Sequence, residues 1–349
     1  MHTVENTNSL NQSSTEIDFW YVLPLAGQSN AMAYGEGLPL PDSLDRTDPR
    51  IKQLARRASV TPGGERCHYN EIIPADHCLH DVQDMSSYNH PLAMLEKGEY
   101  GCVGQGLHIA KKLLPHIPDN AGILLVPCSR GGAAFTSGEI GTFHPSSGAS
   151  SNSMRWGINM PLYLDLVSRT KAALDSNPRN QLLAVCWMQG EFDLMSENYQ
   201  EQPRLFNSMV NAFRNDLQEY STRCTSGDIY HVPWLCGDTT WYWKLEYQLP
   251  YACIYGNYMN QSRGRFTRDL HVYFISFQKD GERGLTNEPE EDLDNPSCGY
   301  LGAGWRSESN WTTSLRSSHF STHARRGVIA ECFAKAITEL ILQKHNHMK

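Results

Sequence analysis

The chain has 349 residues, of which 40% are hydrophobic and 19% are charged, and its formal net charge is −8. This composition is typical of a soluble globular protein that is long enough to bury a sizeable core. A negative chain without a run of Lys and Arg does not suit a nucleic-acid partner. No apolar stretch approaches the roughly 20 residues that a membrane span needs, so we expect no membrane partner either.

The first 17 residues are polar and rich in Asn, Ser and Thr, which predicts a disordered tail. They lack a basic start followed by an apolar segment, so they do not read as a secretory signal. On this pattern alone we expect a cytoplasmic protein, although its compartment stays open. Residues 18–349 are predicted to form a single domain.

The apolar run 19–26 predicts a buried strand that ends at Gly27 and delivers Ser29 just beyond it. In open α/β sheets ligands bind at this end of the strands, which makes Ser29 a candidate nucleophile. The backbone N–H groups of Ser29 and Asn30 would favour negative charge on a bound carbonyl. The alternative is that this Gly, Ser and Asn cluster is an ordinary loop.

Residues 38–100 are dense in Pro, Asp, His and Asn and predict a long insertion, either a wall over the site or an ordinary packed segment. Cys67 and Cys78 lie in it beside several histidines. Because no Cys-x-x-Cys pair is present, we expect no structural zinc and no other metal. Reduced thiols are the default expectation, and a disulfide between these two cysteines is the alternative.

A helix is predicted over 101–114, ending near Pro115, and a second buried strand over 122–128. Arg130, Gly131 and Gly132 follow this strand. Tandem glycines let the backbone approach a ligand and point an N–H at it, which favours an oxyanion donor, but a tight turn would use the same residues.

A helix over 161–176 precedes a third strand over 182–188, which ends in Gln189, Gly190 and Glu191. The alternation of strands and helices predicts an α/β fold with a mostly parallel, doubly wound sheet. The amide of Gln189 could donate to an oxyanion. Glu191 and Asp193 could orient a base, although acidic residues at such a position are often only helix caps.

Further elements are predicted as a helix over 203–217 and strands over 229–236 and 272–277. The aromatic residues 241–243 could stack on a sugar ring, but core packing is the commoner role. A polar, acidic, turn-rich stretch covers 278–311.

His319 precedes the predicted C-terminal helix 324–342, whose N-cap is expected to be Ser321 or Thr322. A doubly wound fold would bring this loop back over the strand ends. A serine nucleophile needs a base that is neutral near pH 7, which histidine supplies. His319 is our candidate base, and His323 is its rival.

The motifs Gly-Gln-Ser-Asn (27–30), Arg-Gly-Gly (130–132), Trp-Met-Gln-Gly-Glu (187–191) and Ser-Ser-His-Phe-Ser (317–321) occur in this order. Together with Ala-Met-Ala-Tyr-Gly-Glu-Gly (31–37) and Gly-Asp-Thr-Thr-Trp-Tyr-Trp-Lys (237–244), they make the chain after its tail resemble the bacterial sialate 9-O-acetylesterases, within the SGNH/GDSL-like hydrolases. The resemblance implies a three-layer α/β/α fold and removal of the O9 acetyl group of N-acetylneuraminic acid, free or on glycans, without a cofactor. It implies Ser29 as nucleophile and His319 as base, with Gln189 and the Gly131-Gly132 loop around the oxyanion.

The chain departs from the wider SGNH pattern at Arg316, where these enzymes usually carry an Asp that orients the histidine. Our hypothesis is a Ser29–His319 dyad. The Nδ1–H of His319 would then bond to a backbone carbonyl of the 316–318 loop or to a carboxylate from elsewhere. Arg130 could bind the substrate carboxylate, or it could hold its own loop through carbonyl groups.

Two other functions fit the same residues. An acetylxylan or general carbohydrate O-acetylesterase would differ in its pocket and not in its catalysis. A non-catalytic glycan-binding module would keep the fold, but it has no use for a nucleophile, and the chain retains Ser29, Gln189 and His319 together. The resemblance also implies a periplasmic or extracellular enzyme, in conflict with the expectation from the N-terminus.

Overall fold

The computed structural model describes residues 16–35, 39–58, 66–85, 94, 103–263, 270–277 and 318–342, with the side chains of 260–263 excepted. Residues 1–15 of the predicted tail, Arg316 and the polar stretch 278–311 lie outside the described residues.

A central eight-stranded sheet and one short hairpin contain all the described strands. They are β1 (Phe19–Gly27), β2 (Ile51–Leu54), β3 (Ile72–Pro74), β4 (Ala121–Pro127), β5 (Phe143–His144), β6 (Gly148–Ala149), β7 (Gln181–Leu182), β8 (Val185–Met188), β9 (Trp234–Gly237) and β10 (Val272–Ile275). The sheet order is β10-β9-β8-β1-β4-β2-β3, with β7 paired to β1, while β5 and β6 form the hairpin. All neighbours in the sheet are parallel except β2 and β3, as the predicted doubly wound fold requires.

Helices of the described chain cover both faces of this sheet. They are α1 (Gly106–Leu113), α2 (Pro161–Asp175), α3 (Glu191–Leu194), α4 (Gln202–Asp216), α5 (Trp241–Glu246), α6 (Gln248–Arg263), α7 (Thr322–Ala324) and α8 (Ala330–Ile337). Wider π-type turns, Arg325–Ile329 and Thr338–Leu342, precede and follow α8. Short 3₁₀ turns occupy Ser29–Ala31, Leu114–His116, Tyr199–Glu201, Gln218–Arg223 and Ile229–His231.

The alternation of side chains along β1 divides the core into two halves. Val22 and Ala26 belong to the half that contains side chains of α2, α4 and α6. Leu23 and Leu25 belong to the half that contains side chains of α1 and α8. The sheet is therefore the middle of three layers, which confirms the predicted α/β/α architecture.

Several element boundaries differ from the predictions. The strand predicted over 182–188 is divided into β7 and β8, and the strand predicted over 272–277 ends at Ile275. The helix predicted over 324–342 is divided into the end of α7, α8 and the two π-type turns beside α8. The strand predicted over 229–236 begins only at Trp234, because Asp228 caps a 3₁₀ turn with its carboxylate and Pro233 has no N–H to donate to a sheet. The helix predicted over 101–114 begins at Gly106, because Val103 instead forms a β-bridge with Gly35.

The predicted insertion 38–100 contributes β2 and β3 to the edge of the sheet. β2 pairs in parallel with β4 through Ile51, Lys52 and Gln53, so this part of the insertion is packed structure. Cys67 and Cys78 are buried in different apolar clusters, and no disulfide joins them to each other. No helix in the described ranges is long and apolar enough to cross a membrane.

Candidate active site

The loops that follow β1, β4 and β8 meet at one edge of the sheet. β1 lies between the other two strands and runs parallel to both. The backbone N–H of Gln28 donates to the carbonyl of Met188 at 2.8 Å, and that of Arg130 donates to the carbonyl of Gly27 at 3.3 Å. Backbone hydrogen bonds therefore join the three loops in which sequence analysis placed its candidates, at the edge where open α/β sheets bind ligands.

A sharp turn at the end of β1 presents Ser29. Gly27 has a φ of +136°, and a Cβ at this position would lie 2.0 Å from the carbonyl oxygen of Met188, so only glycine fits. Ser29 then opens a 3₁₀ turn and is 8% exposed. Its hydroxyl makes no hydrogen bond to the part of the chain that the structure describes. The nucleophile predicted from sequence thus has a hydroxyl that these residues leave available.

Gln28 fixes this turn to the loop after β8. Its side-chain Oε1 accepts hydrogen bonds from the backbone N–H groups of Gly190 and Phe192, each at 3.3 Å. The amide is 1% exposed. A buried side chain therefore sets the spacing between the first and third loops of the site.

Asn30 connects the nucleophile turn to the segment that carries His319. Its Nδ2 donates to the carbonyl of Ser318 at 3.2 Å, and its Oδ1 accepts from the backbone N–H of Phe320 at 3.2 Å. These two residues flank His319 in the chain. One buried amide, next in sequence to Ser29, therefore holds the backbone on both sides of the predicted base.

Glu191 accepts a hydrogen bond from the side-chain amide of Asn30. Its Oε1 accepts from Asn30 Nδ2 at 2.9 Å and from the hydroxyl of Thr239 at 2.9 Å, while its Oε2 is buried and has no hydrogen-bond partner among the described residues. Burial raises the pKa of this carboxyl. Glu191 thus supports Asn30, and it makes no hydrogen bond to the His319 ring.

Arg325 is a residue of this site that sequence analysis missed. Its guanidinium is fully buried and donates to the carbonyls of Asn30 at 3.1 Å and Met32 at 2.7 Å, and to Gln105 Oε1 at 2.7 Å. It also donates to the carbonyl of Phe320 at 3.1 Å. The only sequence signal was its place in the first turns after the predicted base, and its partners Asn30, Met32 and Gln105 lie more than 200 residues earlier in the chain.

The His319 ring stacks on the ring of Tyr34, with centroids 4.2 Å apart and planes 23° from parallel. Its Nδ1 lies 3.1 Å from the hydroxyl of Ser318. The partner predicted from sequence was a carboxylate or a backbone carbonyl of the 316–318 loop. The carbonyl of Ser318 is bonded to Asn30 and, at 2.9 Å, to the indole N–H of Trp243. Residues 316 and 317 lie outside the described residues, so the hypothesis about the Nδ1–H of His319 stays a prediction.

The structure joins Ser29 and His319 by no direct hydrogen bond between the described atoms. Such bonds are often long in a substrate-free enzyme and tighten when substrate binds. His323 lies in α7 and is exposed, on the opposite side of the Ser321 cap from His319 in the chain. Ser321 accepts from the N–H of Ala324, which confirms it as the N-cap.

Hydrogen bonds donated by Arg130 hold the Gly131-Gly132 loop. Arg130 donates from Nε to the carbonyl of Ser151 at 2.7 Å, and from Nη1 to Gln83 Oε1 at 3.0 Å and to the carbonyl of Gly131 at 2.5 Å. These bonds match the loop-holding role that sequence analysis offered for Arg130. The backbone N–H groups of Gly131 and Gly132 donate to no group in the described ranges.

Gln189 lies beneath this loop and is fully buried. Its Nε2 donates to Asp193 Oδ2 at 2.5 Å and to the carbonyl of Ala133 at 3.3 Å, and its Oε1 accepts from Gln202 at 3.1 Å. Both amide hydrogens are therefore used within the protein. A direct part for Gln189 in an oxyanion hole stays a prediction, and it requires one of these hydrogens to be redirected.

Asp193 does not orient the base. Its carboxylate accepts from the backbone N–H groups of Phe135 and Thr136 and from the Thr136 hydroxyl. Burial raises its pKa. Asp193 therefore anchors the segment that directly follows the glycine loop. Across the described ranges, no group of three His, Cys, Asp or Glu residues could hold a metal ion.

Comparisons with known proteins identify the family of this chain. The sequence model of the family described as "Carbohydrate esterase, sialic acid-specific acetylesterase" matches residues 21–244. The chain is 59% identical over 322 residues to the probable 9-O-acetyl-N-acetylneuraminic acid deacetylase of Escherichia coli (strain K12), a match that covers 92% of this chain and 96% of the relative. The chain belongs to the sialic acid-specific acetylesterase family. It is thus a carbohydrate esterase by family, as its motifs predicted.

Solved structures support the same family fold. The crystal structure of NanS matches with a TM-score of 0.83 and 58% identity, over 93% of this chain and 98% of that chain. A protein from Arabidopsis thaliana matches with a TM-score of 0.53 and 15% identity, over 91% and 98% of the two chains, which shows a shared fold alone. The fold of this acetylesterase is therefore shared with NanS.

Proposed function

We propose that this protein is a serine esterase that removes the 9-O-acetyl group from N-acetylneuraminic acid, with Ser29 as nucleophile and His319 as general base. The proposal is carried by the two hydrogen bonds of Asn30, the neighbour of Ser29: it donates to the carbonyl of Ser318 and accepts from the N–H of Phe320, the two residues that flank His319. The substrate is supported by the 59% identity to the E. coli protein named as a deacetylase of this sugar.

In the first step His319 accepts the proton of the Ser29 hydroxyl as its oxygen attacks the acetyl carbonyl. The carbon–oxygen double bond becomes a single bond to an oxyanion. The backbone N–H groups of Gly131 and Gly132, which donate to no described group, are suited to stabilise this charge, together with the N–H of Ser29. Loss of one such donor typically costs about 2.7–4 kcal/mol in the barrier.

The tetrahedral intermediate then collapses. The bond from carbon to the sugar O9 breaks, and the protonated His319 gives its proton to that oxygen, so the sugar leaves as an alcohol. An acetyl group remains on Ser29. His319 next removes a proton from a water molecule as its oxygen attacks the acetyl carbonyl. The bond from the acetyl carbon to the Ser29 oxygen then breaks, His319 returns the proton to that oxygen, and acetate leaves.

Sialic acid carries a carboxylate as well as the acetylated side chain. We do not assign Arg130 to that carboxylate, because its described bonds hold the loop through the carbonyls of Ser151 and Gly131. The proposal covers the acetylated sugar whether free or at the end of a glycan, since the reacting O9 end is the same in both.

The test compares the purified protein with Ser29→Ala on 9-O-acetyl-N-acetylneuraminic acid, following acetate release and the sugar product by chromatography. Ser137→Ala, which removes an exposed hydroxyl on another loop, is the matched control. We expect release by the wild type and the control and none by Ser29→Ala. Rates on acetylated xylan, measured in parallel, should be far lower.

Three results would contradict the proposal in different ways. Activity retained in Ser29→Ala would show that Ser29 is not the nucleophile. Activity on acetylated xylan that equals or exceeds that on the sialate would replace the substrate with a general acetylated polysaccharide. No activity on either substrate or on a simple aryl acetate, with binding of the sialate intact, would make this a glycan-binding module.

A further inference from the structure

The imidazole of His319 rests face to face on a tyrosine. The centroids of the Tyr34 and His319 rings are 4.2 Å apart and their planes are 23° from parallel. Aromatic pairs more often adopt edge-to-face or offset arrangements at larger separations. A near-parallel stack at this distance places the negative face of the phenol ring directly against the imidazole.

Both rings are held by backbone contacts that do not depend on the stack. The N–H of Tyr34 donates to the carbonyl of Met32 at 2.9 Å, and the next residue, Gly35, forms a two-bond bridge with Val103 at 2.9 and 3.1 Å. Tyr34 is 8% exposed. Asn30 hydrogen-bonds to the backbone on both sides of His319. The stack is therefore a fixed feature of the folded site.

We propose that Tyr34 is a positioning residue whose ring face holds the plane of the His319 imidazole and stabilises the imidazolium that forms when Ser29 attacks. The ring quadrupole attracts a cation placed over its face within about 6 Å, and the attraction grows when water is excluded. Since the neutral imidazole gains less from this contact than the imidazolium, the contact lowers the barrier and not only the energy of the ground state. This inference rests on the proposed function.

The test uses Tyr34→Phe and Tyr34→Leu. The first keeps the ring face and removes the hydroxyl, while the second removes the face and keeps an apolar side chain. We expect Tyr34→Phe to retain kcat within about threefold. We expect Tyr34→Leu to lose kcat by about 3- to 30-fold, the range of a cation–π contact, with KM little changed. The acidic limb of its kcat/KM profile should move to lower pH, because protonation of the base has become harder.

Met85→Ala is the control for packing alone. Met85 is buried in the same small cluster as Tyr34 and has no place in the proposed chemistry. We expect it to lower the midpoint of thermal unfolding without moving the pH profile. An equal shift of the acidic limb in Met85→Ala would reduce the role of Tyr34 to packing.

The outcomes separate this inference from the proposed function. All variants are compared with wild type and Ser29→Ala on the same acetylated sialate. If the wild type is active and Ser29→Ala is not, the esterase proposal stands whatever Tyr34 does. Equal losses in Tyr34→Phe and Tyr34→Leu, or an unchanged kcat and pH profile in Tyr34→Leu, would overturn the inference about the ring face.

Discussion

Replacing Asn30 by alanine should disconnect the proposed base from the nucleophile while leaving both side chains in place. The substitution removes four hydrogen bonds of the side-chain amide, to the carbonyl of Ser318, the N–H of Phe320, the carboxylate of Glu191 and the guanidinium of Arg325. Each of these groups is buried. The change therefore acts on the backbone on either side of His319.

The size of the effect follows from which partners are left without a bond. The carbonyl of Ser318 keeps Trp243, and Glu191 keeps Thr239, but the only described acceptor of the Phe320 N–H is Asn30. An unsatisfied buried donor costs about 1–3 kcal/mol, and a lost bond to a charged group costs a similar amount. We expect the free energy of unfolding to fall by about 3–5 kcal/mol. Misplacement of the base by about 1 Å should reduce kcat by about 10²-fold.

Chemical unfolding measures the fall in the free energy of unfolding. Steady-state kinetics on the acetylated sialate, at a temperature where the variant remains folded, measure the fall in kcat. Asn207→Ala is the matched control, because Asn207 pairs with the amide of Asn257 between α4 and α6, away from the site. It should keep kcat. An Asn30→Ala protein that keeps kcat within about threefold of wild type would refute the idea that this amide positions the base.

Three further predictions follow from the described contacts. Gly27→Ala should prevent stable folding, since its Cβ would lie 2.0 Å from the Met188 carbonyl oxygen. Gly227 is also at positive φ, but a Cβ there would have nothing within 4 Å, so Gly227→Ala should fold. Soluble yield and circular dichroism compare the two variants. Burial raises the pKa of Asp76 from 3.8 to about 8, so between these pH values the folded protein keeps a proton that the unfolded chain loses. The free energy of unfolding should therefore fall as the pH rises from about 4 to about 8. Urea titrations of Asp76→Asn should show a smaller fall over the same pH range. Arg325→Lys keeps the charge but loses the forked contacts, so both kcat and the thermal midpoint should drop, and an unchanged kcat would show that this guanidinium serves stability alone.

The buried parallel strands could be read from the sequence because each is a short apolar run that ends at a turn residue. β1 and β4 lie within one residue of their predicted bounds, and α2 and α4 agree as closely. Strands β2 and β3 were not predicted, since short segments at the edge of a sheet carry little apolar periodicity. Helix α6 was missed for a related reason, because its apolar residues are not concentrated on one face.

The aromatic segment after β9 shows how packing decides between two local interpretations. Its composition allowed either sugar stacking or burial. In the fold Trp243 is buried, and its indole N–H donates to the carbonyl of Ser318. No pattern within 241–243 encodes that partner, since it lies 75 residues further along the chain.

The sequence by itself determined the fold class, the family and the identities of Ser29 and His319 as the residues to examine, because strand ends and short motifs are local features. Only the tertiary structure decided how those residues are supported. The contacts of Asn30 with the His319 segment, the stack on Tyr34 and the buried guanidinium of Arg325 join parts of the chain that are nearly 300 residues apart. Local propensity carries no information about such pairs, since they form only when packing excludes water and obliges each buried polar group to find a partner.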